Sequence, residues 1–415
     1  MIKKKIFFSI SCFFFYLLPV SLIFSIFFSN LIVVTISIYG IYEIYKNKIN
    51  LFKYKYFNIF LTFWIFICLN SLFSENLIFS IRSSFFFIRY IFFIFGIYFL
   101  YKYNNKILLN FSKIILVIFF ILLIDSLIEF NTQKNTFNLI YNFIFNTDFN
   151  NLHQTGRVSS FFFKELILGS YVSKFTILII CIFHIFYNFQ NKKIILILAT
   201  SIIITLISGD RAPIVSLILF SFGYIFFFLK IKFKNKFIIL ASFTLFISIL
   251  VFNIPSLKNR IINHSIDDFK NSKNIFFSDG HKAHAITALN MFVDKPTTGH
   301  GSNNFRNVCQ NYRTQENGCN THPHNIIAQF ASELGLIGIL FLIYFYFTIL
   351  KKTISGLIKF KDMRQKNISL IYFSLLVYYF PLIPSANFYN SWVNNIFSIL
   401  FILFLIKNKF SKNHL

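Results

Sequence analysis

The chain has 415 residues, of which 56% are hydrophobic and only 13% charged, at a mean hydropathy of +0.66. These figures exclude an ordinary soluble domain of this length. The formal net charge of +26 would suit a nucleic-acid binder if the cations formed one face, but the lysines fall in short clusters between apolar runs, where they act as orientation signals.

Lipid is therefore the expected solvent. Crossing a hydrocarbon layer of about 30 Å takes roughly 20 apolar residues in a helix, because a helix satisfies its backbone N–H and C=O groups internally. A basic start at Lys3, Lys4 and Lys5 resembles a signal peptide, but no small-residue cleavage site follows, so the first apolar run is read as retained spans. In chain order the predicted spans are 6–25, 30–45, 56–73, 85–100, 107–130, 166–187, 194–208, 212–229, 237–252, 325–350, 368–384 and 392–406. The expected fold is an all-α polytopic membrane protein with about 12 transmembrane helices.

Charge along the loops orients these spans. Lys46, Lys48, Lys53 and Lys55, then Lys102 and Lys106, Lys192 and Lys193, and Lys230 to Lys236 alternate with connections poor in lysine. The pattern continues with Lys351, Lys352, Lys359, Lys361, Arg364 and Lys366, and ends with Lys407, Lys409 and Lys412. By the positive-inside rule both termini are expected in the cytoplasm. Two long connections, 131–165 and 253–323, then fall outside. The expected organisation is N-terminal membrane helices over 1–252 with the outer segment 131–165, a large outer loop over 253–323, and C-terminal helices over 324–415. Long unspanned segments usually carry function.

Residues with chemistry gather on that outer side. Arg157 precedes Val158-Ser159-Ser160-Phe161-Phe162-Phe163, and its guanidinium is suited to a pair of phosphate oxygens; an interfacial arginine that snorkels to water fits the same position. Arg211 stands in the short turn Ser208-Gly209-Asp210-Arg211-Ala212-Pro213, close to the membrane surface, where a lipid-linked headgroup would lie. A turn residue paired with Asp210 is the plainer alternative. Arg260, His281, His284 and Arg306 follow in the large loop.

The stretch Gly318-Cys319-Asn320-Thr321-His322-Pro323-His324-Asn325 leads into the tenth span. Pro323 predicts a helix start, with His324 in the first turn. A neutral imidazole there can take a proton from a sugar hydroxyl. Metal binding by His322 and His324 lacks a third ligand at recognisable spacing. Glu333 reads either as a buried helix partner or as an orienting carboxylate, and Gly335 and Gly338 read as sites of close helix packing. Of five cysteines, Cys12, Cys68 and Cys181 lie in spans. Cys309 and Cys319 precede the histidines, and in an oxidising compartment a bridge between them would brace the approach to the site by about 2–3 kcal/mol. Asp125 and Glu129 near the outer end of the fifth span are the best hint of a transporter for a lipid-linked glycan.

Together these residues resemble the O-antigen ligase and polymerase superfamily of bacterial membrane glycosyltransferases. The resemblance runs from about Gly156 to Gly338 and rests on Arg157-Val158-Ser159-Ser160-Phe161-Phe162, Gly209-Asp210-Arg211, the run Lys295-Pro296-Thr297-Thr298-Gly299-His300-Gly301-Ser302-Asn303-Asn304-Phe305-Arg306, and His322-Pro323-His324-Asn325 with Glu333-Leu334-Gly335-Leu336-Ile337-Gly338. It implies a GT-C-like helical fold in the bacterial inner membrane, with a helical periplasmic segment and a periplasmic active site.

The implied activity is an inverting transfer of a glycan from undecaprenyl diphosphate to a sugar hydroxyl of lipid A-core, without metal or cofactor. An O-unit polymerase uses the same donor and another lipid-linked glycan as acceptor. By the resemblance, His324 would be the base, with His322 beside it, and Arg211, Arg157 and Arg260 would hold the diphosphate. The family commonly has an arginine where this chain has His281, so that phosphate contact falls to Arg260, Arg157 or a protonated His281. A His284→Ala change is expected to be tolerated.

Overall fold

The computed structural model describes residues 2–147, 157–163, 165–272, 278–358 and 363–407. Of the residues named above, Gly156, Lys359, Lys361, Lys409 and Lys412 lie outside that set. Among the described residues the regular elements are all helical. The longer ones are α1 (Ile2–Phe24), α2 (Ile26–Lys46), α3 (Lys55–Asn70), α4 (Leu77–Tyr103), α5 (Ile107–Thr132), α6 (Thr136–Phe145), α7 (Leu168–Phe186) and α8 (Asn191–Ile207). They continue with α9 (Arg211–Phe228), α10 (Phe233–Asn253), α11 (His264–Ser272), α12 (Asp279–Asp294), α13 (Ile326–Ile358), α14 (Met363–Tyr378) and α15 (Ser391–Lys407).

Each predicted span overlaps a helix, that over 368–384 only in part because its helix ends at Tyr378, and among the described residues 9 helices are long and apolar enough to cross a membrane. Helices α8, α14 and α15 are shorter, at 17, 16 and 17 residues. The most apolar window of α7 is 83% buried and that of α10 only 11%. α7 therefore forms the centre of the bundle while α10 turns nearly all its apolar surface outward, as a helix solvated by lipid does. Helices α2 and α4 cross without side chains between them: a Cβ at Gly40 would come within 2.3 Å of the Phe92 carbonyl oxygen, and one at Gly96 within 2.3 Å of that of Ile36. Small residues permit this approach where lipid removes any hydrophobic drive between helices.

The large loop is clamped to the start of α13. The chain is non-helical at Gly335 (φ 63°, ψ −158°), and this break receives the 296–301 turn: Leu336 N–H donates to the Pro296 carbonyl at 2.7 Å and Gly301 N–H to that of Glu333 at 3.0 Å. A Cβ at Gly335 would sit 2.4 Å from the Thr297 oxygen. Gly335 is therefore a backbone break that admits a loop, rather than the helix-packing contact expected of it. The Glu333 carboxylate, fully buried, accepts from Asn303 N–H, Phe305 N–H and the Gln329 amide at 3.2, 3.1 and 3.0 Å. Gln329 and Asn303 in turn bond Asn387 at 2.9 Å each, which ties the loop to the connection between α14 and α15. The choice left open for Glu333 falls to the second reading in altered form, since it orients the loop backbone and not an imidazole.

Candidate active site

The connections at one end of the bundle bring the arginines together. Arg157 forms an ion pair with Asp210 at 3.1 Å and donates to the Leu166 carbonyl at 2.9 Å. Arg260 donates to the Gly209 carbonyl at 3.2 Å. Arg211 pairs with Asp268 at 2.7 Å and donates to Ser265 at 3.2 Å, so its partner is a carboxylate of α11 and not neighbouring Asp210. Burial raises the Asp210 carboxyl above its ordinary range, opposed first by Arg157 and then by Arg260. Burial also lowers Arg260, with repulsion from Arg157 and Arg211 next; a guanidinium stays charged at neutral pH all the same. Among the described residues, three guanidinium groups thus gather around two carboxylates, Asp210 and Asp268.

The position of Arg157 depends on α5. Glu129 accepts from the backbone N–H groups of Ser159 and Ser160 at 3.1 and 2.6 Å, and Ser160 Oγ donates to Asp125 in a very short bond. Asn135 adds a bond to the Ser160 carbonyl at 2.6 Å. The two acidic residues that hint at transport thus hold the backbone and side chain of the arginine loop.

Four imidazoles form the other half of the site. The ring of His324 lies 4.0 Å from that of His322, 5.2 Å from His284 and 5.3 Å from His281, centroid to centroid. His324 precedes the helix and does not lie in its first turn: the Asn325 side chain caps α13 by accepting from Ile327 and Ala328 N–H at 2.9 and 3.1 Å, the work of an N-cap residue. The backbone of His324 is left-handed, with φ 53°. Its carbonyl accepts from Ser385 N–H at 2.8 Å, and His322 Nε2 meets the Ser385 carbonyl at 3.2 Å, so the connection after α14 holds both histidines. Cys309 and Cys319 are joined, Cα to Cα 5.3 Å, and Cys309 is buried with Ala288 and Met291 of α12, which links the helix of His281 and His284 to the strand of chain that reaches His322.

Burial depresses all four imidazoles. His324 is lowered to about 3 and His322 to about 4, in both cases by burial first; the other histidines add repulsion at His324, and at His322 Arg306 does so ahead of them. His281 is lowered by burial, then by His284 and Arg211. A protonated His281 is therefore disfavoured, and it joins the neutral cluster with Nδ1 3.0 Å from Ser278 Oγ. His284 is buried and in ring contact with His324, so its loss is not expected to be silent. Among the described residues no group of three or more His, Cys, Asp or Glu side chains is arranged to hold a metal ion.

Beside the site a cavity of about 930 Å³ enters the bundle, lined among others by Phe24, Phe161, Lys174, Tyr378, Ser385 and Trp392. The sequence reading missed Lys174, although a lone lysine inside the Leu168–Phe186 span is itself a signal. It missed Ser385 and Asn387 as well, which no local pattern marks.

The fold and site define a polytopic, all-helical membrane protein with cationic and imidazole groups converging beside a lipid-facing cavity. Residues 173–343 match the family described as O-antigen ligase, which supports the resemblance to the O-antigen ligase and polymerase superfamily. No curated protein matches the chain.

Proposed function

We propose that this protein is an O-antigen ligase: it transfers a glycan from undecaprenyl diphosphate to a sugar hydroxyl of lipid A-core at the periplasmic face of the bacterial inner membrane. The observation that carries the reading is the meeting of Arg157, Arg211 and Arg260 with neutral His324 beside a cavity that a lipid chain can enter. The acceptor hydroxyl gives its proton to the His324 ring as its oxygen attacks the anomeric carbon. The bond from that carbon to the phosphate oxygen breaks with inversion, and undecaprenyl diphosphate departs with the electron pair. The arginines stabilise the charge gained by the leaving group, a term that is large when donors are fixed in a dry site. An anion there also raises the basicity of the imidazoles, so donor binding would activate the base. The periplasmic setting agrees with the joined Cys309 and Cys319.

The test is a lipopolysaccharide gel from a deletion strain complemented with wild type, His324→Ala or Arg211→Ala. Loss of glycan-capped bands with polymer accumulating on the lipid carrier is the expected result. Lipopolysaccharide bearing a single repeat unit would make the protein a polymerase, and an unchanged pattern would remove the proposal.

A further inference from the structure

Lys174 is a charge inside a membrane helix for which the chemistry above has no use. Ser170, Ser173, Lys174 and Ile177 of α7 all line the cavity, at the spacing of one helix face. Ser170 hydrogen-bonds Asp210, and Asp210 holds Arg157. Lys174, four positions on from Ser170, therefore lies about one turn, roughly 5.4 Å, deeper along the helix than the arginine cluster. Its Nζ stands 3.8 Å from the ring centroid of Tyr378 and 5.9 Å from that of Tyr379. Among the described residues no Asp or Glu forms an ion pair with it. Aromatic faces partly offset the cost of an ammonium in such a place, but intramembrane cations ordinarily have an anionic partner or a path to serve.

We propose that Lys174 binds the lipid-side phosphate of a polyprenyl diphosphate, with the chain lodged in the cavity and the sugar-side phosphate at Arg157, Arg211 and Arg260. This rests on the donor class proposed above. The cavity offers apolar side chains at Phe24, Phe161 and Trp392 for the chain, while Lys174 and the guanidinium cluster supply two cationic levels about one helix turn apart. A diphosphate meets both cationic levels, whereas a polyprenyl monophosphate meets only the lower one. Lys174 is thus a binding residue for the phosphate next to the chain, and the arginines read the second phosphate.

The experiment is equilibrium binding of undecaprenyl monophosphate and undecaprenyl diphosphate to the purified full chain in detergent, with phosphatidylglycerol as competitor. Lys174→Gln is expected to weaken both ligands by about tenfold or more, as loss of a charge-assisted hydrogen bond does. Lys174→Arg should bind nearly as wild type, and Arg157→Ala should weaken the diphosphate alone. Should Lys174→Gln fail to fold, the wild-type protein supplies the reading: undecaprenyl monophosphate should protect Lys174 from an amine-reactive reagent, and absence of protection overturns the proposal. So does Lys174→Gln binding both lipids as wild type, or phosphatidylglycerol competing as well as the monophosphate. Wild type binding neither polyprenyl lipid would overturn the proposed function together with this inference, whereas wild-type binding left intact in Lys174→Gln removes the inference only.

Discussion

The two halves of the site solve opposite electrostatic problems within one small volume. In the arginine half, Arg157 and Arg211 are held against Asp210 and Asp268, so charge persists through partial neutralisation. In the histidine half, among the described residues, no carboxylate forms an ion pair with the four rings; Asp268 acts only weakly on His281, and burial is the largest cause lowering all four. A buried cation needs a counter-ion, while a buried base needs to be left without one, since a carboxylate would protonate it in advance. The separation of Asp from His is therefore as much a part of the design as the presence of either.

Removing the base attacks this comparison most directly. For His324→Ala the expected loss of transfer is about 10²–10⁴-fold, the range of general base catalysis, with donor affinity unchanged; a parallel loss of donor binding would mean that His324 belongs functionally with the arginines. Arg157→Ala should lower donor affinity by about 10-fold or more, and Arg157→Lys should restore it only in part because the fork to Asp210 and Leu166 is lost. Equal activity of the Lys and wild-type forms would reduce that half of the site to simple point charge.

Acid should destabilise the fold through the histidine half. His324 and His322 titrate in the folded protein at about 3 and about 4, against an ordinary 6.5. Between those values the unfolded chain binds more protons, so their stabilising contribution is full above about 6.5 and is lost as pH falls toward about 3. Thermal unfolding in detergent should shift downward from pH 7 to pH 4, and His322→Gln should shrink that shift. A pH-independent midpoint would show that the rings are not desolvated as described. The smallest effect expected is that of His284→Ala, a severalfold reduction in transfer, checked by rate at saturating donor; full activity would confine the working base to His324 and its nearest neighbour.

Much of the fold is legible in the sequence because the lipid requirement is written residue by residue: an apolar run long enough to cross is a helix wherever it occurs, and the lysine clusters mark its ends. The site is legible in its residue types and less so in its connections. Arg157, Arg211 and His324 stand out as polar groups beside spans. Their partners do not, because Asp268, Asp210 and Ser385 reach Arg211, Arg157 and His324 across 57, 53 and 61 positions through tertiary contact. The start of α13 was misread for a local reason: Pro323 is compatible with a first turn, but Asn325 competes for the cap and wins. Gly335 was misread for a tertiary one, since only the arrival of the 296–301 turn gives its positive φ a purpose.

The polar latch of Asn303, Gln329, Glu333 and Asn387 has a consequence for the order in which the molecule is made. The ribosome delivers the large loop well before residue 387, so Gln329 and Asn303 wait without their shared partner until α14 has emerged. The loop can approach α13 early through Glu333, but it cannot be locked until the last connection is synthesised. A chain ended after α14 should insert into the membrane and yet leave the 296–305 segment open to protease, whereas one extended through α15 should protect it. Assembly of this site is the final act of translation, and an incomplete chain has the cations and the imidazoles without the geometry that makes them one centre.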